Sequence, residues 1–178
     1  MAELSNPFLR QALRFGTGAG IIIGERALEV CLARVRPNAA HIVATLCIED
    51  FRHRPAADWG AEYAAFLKQH GAAHLAAVVL LPRHEVIVRS VRLPGVSDED
   101  APAAIRFQLD ALHPFGDDEV VSGFQRVGRG DTFVVAVALR GHIDFYTALF
   151  AEAGVKLAGF TFSGGAVFPS LRLFAAPE

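Results

Sequence analysis

Cysteine is scarce in this chain: Cys31 and Cys47 are the only two in 178 residues. That excludes a disulfide framework. A hairpin turning at Pro37-Asn38 sets Cys31 opposite roughly residue 44, so the thiols are not directly paired, and both are expected to be reduced core residues. Long apolar runs are missing as well. The longest fall far below the ~20 residues a membrane-spanning helix needs, and Met1-Ala2-Glu3-Leu4-Ser5 lacks a basic region followed by an apolar block and a cleavage site. The expected location is therefore the cytoplasm. An excess of one charge is missing too: 17 basic against 19 acidic residues leave a net charge of −2. Such a balance gives no electrostatic footprint for nucleic acid, and none is expected as a partner.

Catalytic and metal-binding constellations are also absent. The seven histidines are scattered, and the close pair His70 and His74 straddles Gly71, which breaks the helix needed to put both on one face, so no metal site is expected. Ser163 lacks the glycine two residues upstream of a nucleophile elbow, since Thr161 stands there, and it reads as a helix cap. Asp117-Asp118-Glu119 sits beside Pro114 and Gly116 and reads as a solvated turn.

What is present is a chain 52% hydrophobic, long enough for one domain or two intimate lobes burying about 70% of the unfolded surface. Asn6-Pro7 opens a short amphipathic helix running to Phe15, expected to pack on its own domain or fray, with a place in a membrane interface as the alternative that its two basic residues leave open. Gly16-Thr17-Gly18-Ala19-Gly20 precedes the strand Ile21-Ile22-Ile23, the wrong order for a dinucleotide fingerprint, and reads as a flexible entry. Ala27 to Val35 and Ala40 to Phe51 form a hairpin of long strands, with Leu28, Val30 and Leu32 sharing one face and Ile42, Ala44, Leu46 and Ile48 one face of the return. From Ala56 to Gln69, Trp59, Tyr63, Phe66 and Leu67 recur at helical spacing until Gly71 stops the helix. A strand from Leu75 to Leu81 follows; its apolar run suits burial on both faces.

The stretch Ala77 to Phe115 organises the rest. After Leu81-Pro82-Arg83, a strand alternates Glu85, Ile87, Arg89, Val91 and Leu93 with Val86, Val88, Ser90 and Arg92, and ends at Leu93-Pro94. Ser97 is placed to cap a helix led by Asp98, Glu99 and Asp100, with Pro102 tolerated in the first turn. Ile105, Leu109 and Leu112 make its apolar stripe. The helix stops before His113-Pro114-Phe115. Two strands then span Glu119 to Val127 and Thr132 to Arg140, joined by a turn at Gly128-Arg129-Gly130-Asp131. A helix from Gly141 to Ala153 ends at Gly154, followed by a strand from Val155 to Phe162 and a helix from Gly165 to Phe174.

These landmarks resemble, in order and spacing, the PilM-like proteins of type IV pilus assembly, an actin-like ATPase-fold family related to FtsA. The resemblance rests on Leu80-Leu81-Pro82, Val91-Arg92-Leu93-Pro94, the acidic start Ser97 to Asp100, His113-Pro114-Phe115, Asp118-Glu119, the strand Phe133 to Arg140, and Ala153-Gly154-Val155-Lys156-Leu157-Ala158-Gly159. It covers roughly Gly20 to Phe174. It implies an α/β fold, the first lobe of an actin-like ATPase fold: a mixed-sheet subdomain (20–83 and 155–178) with an inserted β-α-β-β-α subdomain (84–154), after an entry segment (1–19).

The resemblance also implies a degenerate phosphate motif. Gly20 and Gly24 match the family's glycines, but Ile22 stands at its aspartate and Glu25-Arg26-Ala27 replaces its hydroxyl run. An isoleucine offers no oxygen to hydrated Mg²⁺, and Glu25 puts negative charge where phosphates approach. No ATP or Mg²⁺ is expected as cofactor, and no catalysis. The implied role is a scaffold at the cytoplasmic face of the inner membrane. Its implied partner is a PilN-like bitopic membrane protein, whose cytoplasmic peptide docks in a groove near Leu81, Pro82, Arg89, Leu93, Pro114 and Phe115. Interlobe packing is the competing role for each of these. Self-association and indirect membrane association complete the expected partners. Two alternatives remain: the related GspL component of type II secretion, and a nucleotide-binding ATPase completed by a second lobe.

Overall fold

The computed structural model describes residues 16–36, 39–128 and 130–166. The expected amino-terminal helix, the turn at Pro37-Asn38, Arg129 and all but the start of the last helix lie outside these residues. The chain divides into two compact units, one holding residues up to Leu80 and from Leu149 onward, the other Leu81–Ala148. The expected insertion began at 84 and ended at 154.

The first unit is built on a five-stranded mixed sheet in the order β3-β2-β1-β4-β8. Its strands are β1 (Gly16–Ile23), β2 (Ala27–Arg36), β3 (Ala39–Glu49), β4 (Ala77–Leu80) and β8 (Leu157–Thr161). β1, β2 and β3 are antiparallel neighbours, while β4 runs parallel to both β1 and β8. The glycine-rich entry is thus a strand: Gly16, Gly18 and Gly20 pair with Val35, Ala33 and Cys31. Long-range pairing with the apolar strand β2 overrides glycine's weak strand preference.

Helix α1 (Ala56–Gln69) covers one face of this sheet and buries Trp59, Tyr63, Phe66 and Leu67, the residues its period singled out. Trp59 packs edge-on against Phe51 at 6.4 Å and Phe150 at 5.8 Å between ring centroids, a favoured aromatic geometry. Gly71 ends α1 at φ 65°, where its N–H bonds to the Lys68 carbonyl and that of Ala72 to Leu67. Only a residue tolerant of left-handed backbone closes a helix this way cheaply.

Two expectations for the hairpin are corrected. The register shifts between Leu32 and Ala33: Leu32 pairs with Ala44 but Ala33 with Ile42, so Val43 is an extra, bulged residue. A bulge reverses the inward and outward alternation beyond it, and Ile42 is carried to the other face, 70% exposed. The cysteines are free as expected, but they are not core residues: Cys31 is half-buried and Cys47 exposed. They share the sheet face opposite to Leu28, Val30, Leu32 and Ile48, the buried positions. β4 is also not covered on both faces, since Ala77 and Val79 are buried whereas Val78 is 42% exposed.

The second unit has a three-stranded antiparallel sheet, order β5-β7-β6, from β5 (Val86–Arg92), β6 (Val120–Arg126) and β7 (Thr132–Leu139). Against it lies α2 (Ala101–Gln108), continued by a 3₁₀ turn at Leu109–Ala111. The acidic residues precede the helix rather than occupying its first turn. Ser97 and Asp100 close a turn, with the Asp100 N–H donating to Ser97 Oγ at 3.1 Å and Ser97 Oγ donating to Asp100 Oδ2 at 2.7 Å. Pro102, which has no N–H to leave unpaired, fits at the helix start. The core joins Val91, Leu93, Ala101, Ile105, Val120, Phe133, Val135 and Val137, with Ile87, Ala104, Leu109 and Leu112 packed on it. The mixed face of β5 is therefore the inward one.

Arg126 locks this unit. It donates to Asp98 Oδ1 at 2.6 Å, to the carbonyls of Val96 at 2.7 Å and Gly130 at 2.9 Å, and lies 4.3 Å from the Phe133 ring centroid. Helix α3 (Arg140–Glu152) follows β7, and the division between the units falls within it. The expected α/β class is what the structure has: a mixed sheet interrupted by a β-α-β-β-α sequence of elements.

Candidate partner-binding site

The expected groove residues all belong to the second unit, but they differ in what they present. Leu93 is 4% exposed inside the hydrophobic core, and Leu81 is 7% exposed. Pro82 is buried and precedes a 3₁₀ turn at Arg83–Glu85. The two leucines are buried side chains, and Pro82 restricts the backbone ahead of that turn. Arg89, Pro114 and Phe115 are exposed. Among the described residues the Arg89 guanidinium makes a 3.5 Å contact to the neighbouring Val88 carbonyl, one use of a side chain that carries five N–H donors.

The turn that presents Phe115 is held from within. His113 is buried, and its Nδ1 accepts the Phe115 N–H at 3.2 Å, with the two rings stacked at 6.1 Å. An accepting Nδ1 puts the proton of a neutral imidazole on Nε2, and that atom is buried without a hydrogen-bond partner among the described residues. Beyond Phe115, the Gly116 N–H donates to Glu119 Oε2 and the Glu119 N–H to the Gly116 carbonyl. The acidic run is thus a capped 3₁₀ turn, Asp117–Glu119.

Sequence reasoning passed over a polar cluster around Glu85. Its Oε1 accepts from the Tyr146 hydroxyl at 2.9 Å and lies 3.8 Å from His84 Nε2, while Oε2 lies 3.9 Å from His142 Nδ1. Both Oε2 and His142 Nδ1 are buried with no hydrogen-bond partner among the described residues. The two histidine separations exceed hydrogen-bond length, and no group of metal-binding side chains exists among the described residues. Phe107 was also passed over; it lies off the Ile105 stripe and is 90% exposed.

In the first unit, Gly20 and Ile22 lie on β1, Ile22 being 44% exposed and paired with Glu29 and Leu80. Gly24 begins the tight β1–β2 turn, its N–H donating to the Ala27 carbonyl at 3.0 Å. A Cβ on Gly24 would meet that carbonyl oxygen at 2.8 Å. Glu25 is exposed in the turn. A depression of about 80 Å³ elsewhere in this unit is lined by Tyr63, Leu67, Leu75 and Lys156 among others, small beside the ~300 Å³ of ordinary ligand pockets. Burial pushes the Tyr63 phenol up from its ordinary pKa, and its hydroxyl has no hydrogen-bond partner among the described residues. No helix of the described residues is long and apolar enough to cross a membrane.

The fold has solved counterparts. The chain superposes on a structure of the PilM-PilN type IV pilus biogenesis complex with a TM-score of 0.66 at 20% identity, over 86% of this chain and 49% of that one. It also matches the cytoplasmic domain of EpsL, an inner-membrane component of the type II secretion system of Vibrio cholerae, with a TM-score of 0.57 at 13% identity, over 82% of this chain and 57% of that one. The chain is thus similar in fold to proteins of both machines and spans about half the length of each matched chain. No protein-family model and no curated protein matches the sequence.

Proposed function

We propose that this chain is a non-catalytic adaptor of a type IV pilus assembly platform at the cytoplasmic side of the inner membrane. The observation that carries this reading is the shared fold with the PilM-PilN complex over 86% of the chain. On this reading, a short, partly apolar peptide from the cytoplasmic start of a PilN-like bitopic protein docks at Arg89, Pro114 and Phe115. Leu81, Pro82 and Leu93, assigned to the same groove, are buried in the free chain. A flexible peptide loses conformational freedom on docking, so a modest, roughly micromolar affinity is expected. Arg89 supplies a fork of donors for a carboxylate or carbonyls, and Phe115 supplies apolar area.

The non-catalytic part rests on Ile22, whose aliphatic side chain offers no ligand to a hydrated cation. The second reading is a role in type II secretion, favoured by the fold shared with the EpsL domain. Fluorescence titration with the amino-terminal peptides of bitopic proteins encoded beside this chain tests both. Binding of a pilus peptide that is lost on Phe115→Asp and Arg89→Glu supports the pilus assignment. Binding of a secretion-system peptide transfers the role, and no binding by either set overturns the proposal.

A further inference from the structure

Among the described residues β3 is an edge strand of the five-stranded sheet, and its own sequence lacks most of the usual protection of an edge. From Ile42 to Ile48 it reads Ile-Val-Ala-Thr-Leu-Cys-Ile, with no charge, proline or glycine. Ile42 is 70% and Val43 40% exposed. By contrast β5, an edge of the other sheet, carries Arg89 and Arg92. Long uncharged edges present unpaired N–H and C=O groups that template another strand, and proteins ordinarily blunt them with charges, prolines or bulges. Here the blunting device is the bulge at Val43, which leaves Ala44 to Ile48 regular.

The charges at the two ends of this strand indicate what covers it. At its start stand His41 and, on the adjoining strand, Arg34 and Arg36; at its end stand Glu49 and Asp50, with Glu29 adjoining. Arg54, near the acidic end, is occupied by Glu62 and the Glu49 carbonyl, and Arg52 lies over the Phe51 ring. Antiparallel pairing of β3 with a second β3 brings the basic end of one copy to the acidic end of the other; parallel pairing would set like charges side by side. A ladder centred on Leu46 places Ala44 opposite Ile48 and Thr45 opposite Cys47, which keeps matching side chains on matching faces.

We propose that β3 is a self-association edge, pairing antiparallel with β3 of a second copy of this chain to make one continuous sheet. The proposal is independent of the peptide-binding role. Sedimentation velocity on the chain, over about 1 to 200 μM, should show a concentration-dependent dimer in the range expected of a small interface. Thr45 is exposed, so Thr45→Lys puts a charge on the edge without touching the core, and it should raise the dimer Kd at least about tenfold. Phe107→Lys, a charge on an exposed residue of the other unit, should leave the Kd unchanged. A second measurement does not depend on the edge variant: in a Cys31→Ser background, a short bis-maleimide should crosslink two copies through Cys47, whose diagonal separation across such a ladder is within its reach. A chain that stays monomeric over this range, a dimer indifferent to Thr45→Lys, or one that never crosslinks through Cys47 would overturn the proposal.

Discussion

Gly60 of helix α1 meets the backbone of Ala153 so closely that a Cβ built on it would lie 2.1 Å from the Ala153 carbonyl oxygen and 2.9 Å from its Cα. Glycine here is a packing requirement rather than a conformational one, because the obstacle is backbone and cannot rotate away. Gly60→Ala should therefore destabilise the protein by about 1–3 kcal/mol, even though alanine favours a helix by itself. A guanidinium titration with an unchanged or raised midpoint would show that the helix and the Ala153 turn separate easily.

Ile105 is 2% exposed in the core of the second unit. Ile105→Ala removes buried carbon atoms and leaves a cavity, with an expected cost of about 2–5 kcal/mol. Leu109, only half-buried beside the same core, should cost less when truncated. Equal losses for the two variants would mean that something beyond this chain's own core covers Leu109.

Tyr63→Phe should be neutral or stabilising at pH 7, because the deleted hydroxyl is buried with no hydrogen-bond partner among the described residues and apolar replacement removes its desolvation cost. The alkaline behaviour should differ more. Burial raises the Tyr63 pKa, so above the ordinary phenol value the unfolded chain releases this proton while the folded one retains it, and stability falls with rising pH. Stability measured from pH 8 to 11 should decline less steeply for Tyr63→Phe than for the parent; parallel curves would refute the assignment.

Calorimetry with Mg-ATP should show no binding at or tighter than ~10 μM, about −7 kcal/mol. Ile22→Asp alone should not create hydrolysis, since a single carboxylate supplies neither the positioning nor the remaining charge stabilisation that phosphoryl transfer needs. ATP turnover by either form would revive the nucleotide-dependent alternative.

Much of the architecture was legible where local signals agreed with tertiary need. Helix α1 begins at Ala56 and ends at Gln69 as its period predicts, because aromatic spacing and the glycine stop at Gly71 point the same way. The bulge at Val43 was not legible, since the apolar residues alternate without interruption and only pairing with β2 shows the extra one. Nor was the strand character of Gly16 to Ala19, because β2 across from them, not their own propensity, makes them extended. In the candidate site, alternation along β5 placed Ile87, Arg89, Val91 and Leu93 on one face but did not say which face was covered. The packing of α2 decides that, and it is why Leu93 is hidden while Arg89, on the same face, reaches solvent.

The Arg126 clamp has a kinetic consequence. Its partners Val96 and Asp98 lie 30 and 28 residues away in sequence, so forming it requires β6 and β7 to be assembled beside the turn before α2. Interactions that close such long loops tend to form after the main barrier to folding, where they leave the folding rate alone and slow the escape from the native state. In stopped-flow experiments Arg126→Lys, which cannot reproduce the planar fork or its three simultaneous bonds, should therefore steepen loss of the native fold by accelerating unfolding, while refolding proceeds at the parental rate. The clamp sets how long the second unit persists once made.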